Sequence, residues 1–299
     1  MIGTGRRPTA SAPGLTRRDL LLAAGALIVA TANGDASRAS ALPANARRIR
    51  WLAFYGATAD EAVLGGYDLV VLDPGFTGDL GRIASRGARV CGYVSLGEIR
   101  TADPWFADLD DAALLPPNPA WPGTRRVDVR RPAWRALLLD RVIPALAARG
   151  FTGLMLDTLD TPPYLEAVDP AQYQGMRAAA VGLVAAVRAQ CPDMTLVVNR
   201  GYALLPEVIR SVDAVIAESL LTSPDPKTGG FRWLDSGDVA IQLAALNKAA
   251  RQRLPILSLD YWDPKDRSTI REIYRRERAL GHHPYVATPL LNQIVPDEG

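Results

Sequence analysis

Acidic and hydrogen-bonding side chains stand at the ends of apolar segments throughout this chain. Eight short apolar runs occur, at 49–56, 67–74, 89–98, 153–160, 195–201, 213–219, 255–263 and 284–289. Their ends supply Tyr55, Asp73, Glu98, Asp157, Asp160, Asn199, Glu218, Asp260 and Thr288. Carboxylates that converge in one cleft can act as general acid, general base and nucleophile.

Other kinds of catalytic site have no matching residues. The two histidines of the chain, His282 and His283, are neighbours and point apart in extended chain, so together they form no two-histidine metal site. No loop has a calcium or magnesium signature, and no nucleophile elbow, dinucleotide turn or P-loop follows a predicted strand. We therefore predict no metal site and no cofactor. Hydrolysis of a glycosidic bond by two carboxylates needs neither.

The order of the elements predicts an α/β fold. Continuous apolar runs are typical of parallel strands that are buried on both faces. Helical patterns lie between the runs, at 60–64, 78–86, 132–149, 174–190, 205–211, 238–252 and 266–280. Eight strands alternating with seven helices favour a (β/α)8 TIM barrel, which binds its ligands at the C-terminal ends of the strands. Few residues follow the last run, so we expect the eighth helix to be short or absent.

Two connections between predicted elements are much longer than usual. They are residues 100–130, with Trp105, Phe106 and Trp121, and residues 219–233. Both follow strand ends, on the face where a barrel binds ligands. We expect them to shape a substrate cleft, although each tryptophan is as well explained by packing of the loop against the barrel.

Residues 1–41 have the pattern of an export signal. The twin arginines Arg17 and Arg18 precede a modest apolar stretch, and Ala39-Ser40-Ala41 fits the small-residue cleavage rule. The stretch is shorter than the about 20 apolar residues of a membrane span. We predict a Tat-type signal at 1–41, a single barrel domain at 42–299, and a periplasmic or secreted location without stable membrane insertion after cleavage. The alternative is a disordered basic tail on a cytoplasmic protein.

Charge and cysteine content exclude further partner classes. The formal net charge is +2 and no basic cluster forms a nucleic-acid footprint, so we predict no nucleic-acid partner. As a separate expectation, we take the protein to be a monomer. Only two cysteines occur, Cys91 and Cys191, and we expect both to be free, buried thiols.

An ordered set of motifs resembles one group of glycoside hydrolases. The motifs are GYVSLGE at 92–98, VDV at 127–129 with Trp134, GFTGLMLDTLD at 150–160, VNRG at 198–201 and AES at 217–219. In this order, over 51–289, the chain is similar to the endo-α-1,4-polygalactosaminidase group, which includes family 114 and the related hydrolase domain of bacterial Pel exopolysaccharide proteins. The resemblance implies a (β/α)8 barrel that cleaves α-1,4-linked galactosamine or N-acetylgalactosamine polysaccharide.

The resemblance also implies which strand-end residues act. Asp160 and Glu218 match the catalytic pair. We expect Glu218 to act as nucleophile and Asp160 as general acid/base, in a retaining mechanism if their carboxyl groups lie about 5–5.5 Å apart and in an inverting one if they lie about 6.5–9.5 Å apart. The resemblance also implies a set of cleft-lining residues, namely Tyr55, Tyr93, Ser95, Glu98, Asp157 and Asn199. From the strand ends, Asp73, Asp260 and Tyr261 are added to the residues expected to bind substrate. The residues alone do not choose between Asp157 and Asp160 as the acid. Two other functions stay open, namely a non-catalytic carbohydrate-binding barrel and a metal-dependent deacetylase, which the histidine count disfavours.

Overall fold

The apolar runs of the sequence form the buried strands of the molecule. The computed structural model describes residues 48–296, and thirteen strands occur within them. They are β1 (Trp51–Phe54), β2 (Leu69–Leu72), β3 (Arg89–Ser95), β4 (Glu98–Arg100), β5 (Leu114–Pro117), β6 (Thr124–Val127), β7 (Gly153–Asp157), β8 (Thr195–Asn199), β9 (Ala214–Glu218), β10 (Thr222–Asp225), β11 (Gly230–Trp233), β12 (Ile256–Tyr261) and β13 (His283–Ala287). Eight of them pair in parallel in the order β1-β2-β3-β7-β8-β9-β12-β13.

The first and last strands of this sheet meet and nearly close it into a barrel. The Trp51 indole N–H donates to the His283 carbonyl oxygen at 2.7 Å, and the Tyr55 N–H donates to the Leu291 carbonyl oxygen at 2.6 Å. The Trp51 and Tyr285 rings pack edge to face at 5.9 Å. The predicted (β/α)8 TIM barrel is therefore confirmed.

Both faces of the barrel strands are covered, as the continuous apolar runs predict. All four residues of β1 and of β2 are buried, and Leu154, Leu156 and Val197 are fully inaccessible. Burying one such aliphatic side chain stabilises the fold by about 1.5–3 kcal/mol. Cys91 and Cys191 are both buried and free, which confirms the prediction for the thiols.

Helices connect the strands. They are α1 (Glu61–Leu64), α2 (Leu80–Ala84), α3 (Pro132–Ala136), α4 (Ile143–Arg149), α5 (Thr161–Val168), α6 (Pro170–Tyr173), α7 (Met176–Gln190), α8 (Leu205–Val208), α9 (Ser236–Arg251) and α10 (Arg267–Ala279). Short 3-10 turns lie at Phe106–Asp108, Asp111–Ala113 and Ile209–Ser211. No helix follows β13 up to residue 296, in agreement with the prediction for the eighth helix.

The helix at 132–149 is continuous but irregular. A π-helical segment, Leu137–Val142, joins α3 to α4. Pro144 has no N–H to donate to the carbonyl oxygen of Asp140, and this loss of one bond of the α-helical ladder accounts for the local widening. Inside this helix, the buried Trp134 donates its indole N–H to the Leu96 carbonyl oxygen at 2.8 Å. The helix is thereby tied to the segment that follows β3.

The two long connections carry small sheets of their own. In the first, β4, β6 and β5 form an antiparallel sheet, and in the second β10 and β11 form a hairpin. Both sheets begin a few residues after barrel strands, β3 and β9 respectively, and so stand at the C-terminal mouth of the barrel. The predicted export signal at 1–41 lies outside the described residues.

Candidate active site

Three neighbouring strands end in the polar residues Asp157, Asn199 and Glu218. These are the last residues of β7, β8 and β9, which are adjacent in the barrel. The residue after each of them has a left-handed backbone, with φ of 60° at Thr158, 50° at Arg200 and 51° at Ser219.

This backbone conformation is uncommon for residues other than glycine, and it is costly at a β-branched residue such as Thr158. It recurs at three successive strand ends because the chain must turn away as soon as the barrel ladder ends. The N–H groups of Arg200 and Ser219 still donate to the neighbouring strands, at 2.9 and 2.8 Å. The sharp turns therefore leave the three preceding side chains at the mouth of the barrel.

The side-chain amide of Asn199 joins the two carboxylates. Its Nδ2 atom donates to Asp157 Oδ1 at 3.0 Å and to Glu218 Oε2 at 2.7 Å. The two hydrogens of an amide nitrogen point about 120° apart, so these distances hold the two carboxylate oxygens about 5 Å from each other. On the other side, the Tyr261 hydroxyl lies 2.6 Å from Glu218 Oε1 and donates to it.

The pair lies in a cavity of about 340 Å³ at the barrel mouth. Of the residues predicted from sequence, nine line this cavity, namely Tyr55, Asp73, Tyr93, Ser95, Glu98, Asp157, Asn199, Glu218 and Tyr261. Tyr55 and Tyr93 pack edge to face at 5.7 Å, and burial raises the pKa of both phenols well above the usual value. They are therefore neutral hydrogen-bond donors at any pH at which the protein works.

The environment of Asp157 favours its protonated form. Burial first, and then the charge of Glu218, raises the pKa of Asp157 to about 6, against donors such as Asn199 that favour the ionised form. The proton that Asp157 keeps up to about pH 6 therefore lies beside the Glu218 carboxyl group. A carboxylate pair that holds one proton in mildly acidic solution can supply an acid and an anion to the same bond.

Ser95 and Glu98 line the cavity, but their polar atoms are used within the protein. The Ser95 hydroxyl donates to the Glu98 carbonyl oxygen at 2.7 Å and pairs with the Thr158 hydroxyl at 2.9 Å. The Glu98 side chain is only 4% exposed and accepts hydrogen bonds from Asn118, Thr124 and Thr161. Both residues therefore shape the wall more than they offer groups to a ligand.

Asp160 lies at the rim and is absent from the cavity lining. Its side chain is 52% exposed, and its carboxylate pairs with Arg200 Nε at 3.5 Å. Partial desolvation raises the pKa of Asp160, while the charge of Arg200 and the N–H of Gly201 oppose the rise. The structure thus brings Asp157 into the network that holds Glu218. The assignment of Asp160 as the catalytic acid stays a prediction.

Asp260 does not reach the cavity, which corrects its assignment as a substrate-binding residue. Residues alternate in direction along a strand, and Leu259 and Tyr261 of β12 line the cavity, so Asp260 between them points away. It is 1% exposed and accepts hydrogen bonds from the N–H groups of Leu221 and Thr222, at 2.9 and 2.7 Å. Its function in the fold is to anchor the segment that follows Glu218.

A buried acidic cluster lies behind Asp260. Burial raises the pKa of Glu277 to about 7, and the Glu277 carboxylate lies 2.6 Å from His282 Nδ1. Burial lowers the pKa of His282 to about 4, so both groups are neutral between about pH 4 and pH 7. Neither residue lines the cavity.

Several lining residues were not predicted from sequence. Such residues are Met155, Thr158, Leu259, Leu290 and Leu291. Four more, Arg100, Asp103, Trp121 and Thr124, belong to the connection 100–130, which was expected to shape the cleft but without individual site residues. Arg100 lies between two acids, with Nη2 2.8 Å from Asp103 and Nη1 3.7 Å from Asp73. The sequence signal for Arg100 was its place two residues beyond Glu98, because the segment that follows this strand end continues along the mouth of the barrel.

Two further properties concern residues 48–296. No three histidine, cysteine or acidic side chains in this range converge in a way that could hold a metal ion. Within the same range, every helix is too short or too polar to cross a membrane.

Comparisons with known proteins agree with the geometry. The family model of glycoside-hydrolase family GH114 matches residues 30–298. The glycoside hydrolase domain of PelA from Pseudomonas aeruginosa has 29% sequence identity and a TM-score of 0.73, over 82% of this chain and 96% of that chain. Ega3 of Aspergillus fumigatus, solved in complex with galactosamine, has 16% identity and a TM-score of 0.63, over 87% and 99% of the two chains. An uncharacterized protein of Deinococcus radiodurans is 27% identical over 81% of this chain and 80% of its own length.

Proposed function

Since the chain belongs to glycoside-hydrolase family GH114 and is a glycoside hydrolase, we propose that it cleaves a galactosamine-containing polysaccharide by a retaining mechanism. The two reacting carboxylates are Asp157 and Glu218. The observation that carries this assignment is the single amide of Asn199, which donates to both of them.

The spacing of the pair supports retention of configuration. In retaining enzymes the two carboxyl groups lie about 5–5.5 Å apart, and in inverting enzymes about 6.5–9.5 Å apart to leave room for a water. The about 5 Å set by Asn199 falls in the first class. One carboxylate attacks the anomeric carbon while the other protonates the departing oxygen and later activates the water that releases the glycosyl group.

The protonation of the pair supports the same chemistry. A retaining cycle begins with one proton on the pair, and the raised pKa of Asp157 preserves that proton up to about pH 6. Tyr261 and Asn199 hold Glu218 by both oxygens, so its orientation is fixed before substrate arrives. Loss of the donor of Tyr261 or of Asn199 should therefore weaken both the alignment and the charge stabilisation of Glu218.

The charge of the cavity supports an amino sugar as substrate. The lining contains one arginine, Arg100, and five acidic residues, which are Asp73, Glu98, Asp103, Asp157 and Glu218. An excess of carboxylates attracts the ammonium group of a deacetylated galactosamine unit. The Asn199 Oδ1 atom is buried and has no hydrogen-bond partner among the described residues, so it can accept a bond from a sugar hydroxyl or ammonium. The galactosamine bound by Ega3 in its solved complex agrees with this substrate class.

The proposal includes export of the protein from the cytoplasm. A polysaccharide too large to enter a cell must be met outside the cytoplasm, and the twin arginines at 17–18 with the apolar stretch after them supply a Tat-type route. The protein then works in the periplasm or the medium.

The test compares three matched variants on deacetylated α-1,4-linked galactosamine polymer. We expect Glu218→Gln and Asp157→Asn each to lose at least about 1,000-fold in kcat, because each removes a group that reacts. Asp160→Asn keeps more than a tenth of the wild-type rate, since Asp160 is held at the rim by Arg200. Circular dichroism checks that each variant folds.

The stereochemistry of the first product provides the second measurement. Proton NMR during the first minutes should show the α-anomer before mutarotation. If Asp160→Asn is inactive while Asp157→Asn turns over, the acid is Asp160. If the β-anomer forms first, the mechanism is inverting.

A further inference from the structure

A large aromatic side chain stands exposed at the mouth of the active-site cavity. Trp121 is 66% exposed and lines the cavity, whereas Trp51 and Trp134 are 1% and 2% exposed. Exposure of an indole to water is unfavourable unless a ligand covers it. Trp121 lies on the turn between β5 and β6, residues 118–124, which we name the platform turn.

The platform turn is ordered by its own hydrogen bonds. The Trp121 N–H donates to the Asn118 carbonyl oxygen at 3.1 Å, and the Trp121 carbonyl oxygen accepts from Thr124 N–H at 3.1 Å and Thr124 Oγ1 at 2.8 Å. Pro116, Pro117, Pro119 and Pro122 restrict the backbone on both sides of Trp121. The indole is therefore presented by a stiff segment.

The buried carboxylate of Glu98 ties this turn to the barrel. Glu98 Oε1 accepts from Asn118 Nδ2 at 2.8 Å. Glu98 Oε2 lies 3.2 Å from Thr124 Oγ1, which shares its one hydrogen between Glu98 and the closer Trp121 carbonyl oxygen, so one side chain contacts both ends of the turn. The same carboxylate accepts from Thr161 Oγ1 at 2.7 Å, at the start of α5. Both oxygens of this buried side chain are used to contact the turn and the start of α5, which indicates that the position of the turn matters.

We infer that Trp121 is a carbohydrate-binding platform on which a hexosamine ring of the polymer stacks outside the cleavage position, and that Glu98 is its positioning residue. The inference rests on the proposed function for the identity of the polymer. The face of a pyranose ring is apolar and covers an indole, and the ammonium group of galactosamine adds a cation–π attraction. Because the turn is already fixed, little conformational freedom is lost on binding.

Binding is tested first, in a protein that does not turn over. In Glu218→Gln, a defined α-1,4-galactosamine oligosaccharide should quench tryptophan fluorescence and shift it to shorter wavelength. Adding Trp121→Ala should remove most of that signal and weaken binding about tenfold, the size of one cation–π or stacking contact. Tyr164→Ala is the matched control, since Tyr164 is a 54% exposed aromatic outside the cavity lining. Equal binding with and without the Trp121 indole overturns the inference.

Turnover measurements then distinguish a binding role of Trp121 from a role in supporting the fold. Trp121→Ala should raise KM for the polymer about tenfold, with a much smaller effect on an activated aryl α-galactosaminide, which occupies only the cleavage position. Glu98→Gln should reproduce the KM effect with the indole still present, because an amide cannot accept from both Asn118 and Thr124 through two oxygens. Equal losses on both substrates would mean that Trp121 supports the fold, and would overturn the platform. Failure of the wild type to cleave either substrate contradicts the proposed function, while the fluorescence titration still decides the platform.

Discussion

The buried position of Asp157 should give a contribution to stability that is larger in acidic than in neutral solution. The pKa of this group rises from 3.8 to about 6 on folding, by burial and by the charge of Glu218. One pKa unit corresponds to 1.36 kcal/mol, so the shift amounts to at most about 3 kcal/mol. The folded state binds the proton more tightly than the unfolded state does. The stabilisation is therefore complete below about pH 4 and is lost as the pH rises through about 6.

The substitution Asp157→Asn removes this titration at nearly constant volume. The free energy of unfolding, measured by urea denaturation from pH 4 to pH 8, should change in favour of the variant by up to about 3 kcal/mol as the pH rises, and then level off above pH 7. The constant part of the difference, from altered hydrogen bonds, does not affect this slope. The variant should gain relative stability in the pH range where it has lost activity, as expected for a residue that is kept for chemistry.

Asp266→Asn is the control. Hydrogen bonds from Ser268 and Thr269 hold the pKa of Asp266 well below its usual range, so this group is ionised in both the folded and unfolded states above pH 5. Its difference from wild type should be flat between pH 5 and pH 8. A flat difference for Asp157→Asn across pH 4 to 7, or one that falls with rising pH, would refute the account of the carboxylate pair.

Three further predictions concern Asn199, Asp260 and the twin arginines of the export signal. Asn199→Ala removes a donor that favours ionised Asp157, so the pKa of Asp157 should rise and the basic limb of the pH profile of kcat/KM should move from near pH 6 to higher pH. In the same variant, kcat should fall about 100-fold because the two carboxyl groups lose their alignment. A basic limb that stays near pH 6 would contradict the role of Asn199 in joining Asp157 to Glu218. Asp260→Ala should cost about 1–3 kcal/mol of unfolding free energy, while Asp260→Asn, which keeps the acceptor, stays close to wild type in stability and KM; a raised KM in a stable Asn variant would restore Asp260 as a substrate contact. Replacing Arg17 and Arg18 by lysine should leave the precursor in the cytoplasm on cell fractionation, and normal export would refute the Tat assignment.

The barrel could be predicted from sequence because its strands are buried on both faces and read as unbroken apolar runs. The helices with a clear apolar stripe were predicted to within a few residues, as at 132–149. By contrast, α5 and α6 were missed because Pro162, Pro163 and Pro170 suggest a loop, whereas proline is well tolerated in the first turn of a helix. The short antiparallel sheets at the mouth have no continuous apolar face and leave little signal.

The cavity lining could be predicted in large part because strand ends meet at one edge of a barrel. The exceptions have specific causes. Asp260 and Tyr261 are neighbours at the end of one strand, and only the register of β12 decides which of them faces the cavity. Asp157 and Asp160 are three residues apart, and the left-handed turn at Thr158 directs the chain between them toward the rim. Neither the register nor this turn is visible in residue types.

The contacts between Glu98 and the platform turn show a third limit of prediction from sequence. Asn118 and Thr124 are 20 and 26 residues from Glu98 in sequence, and their contact with it forms only when β4 and β6 pair. From sequence, Glu98 is one more acid at a strand end. Its role as an anchor could be recognised only from its burial and its three neutral partners.

The central claim is that Asp157 and Glu218 are the two reacting carboxylates of a retaining glycoside hydrolase. The most direct test is to trap the glycosyl-enzyme with a fluorinated galactosaminyl fluoride whose intermediate hydrolyses slowly, and then to locate the label by peptide fragmentation, which separates Asp157 from Asp160. The account predicts one glycosyl group per protein molecule, on Asp157 or on Glu218. A label on Asp160, or steady turnover to the inverted product without any label, would contradict it.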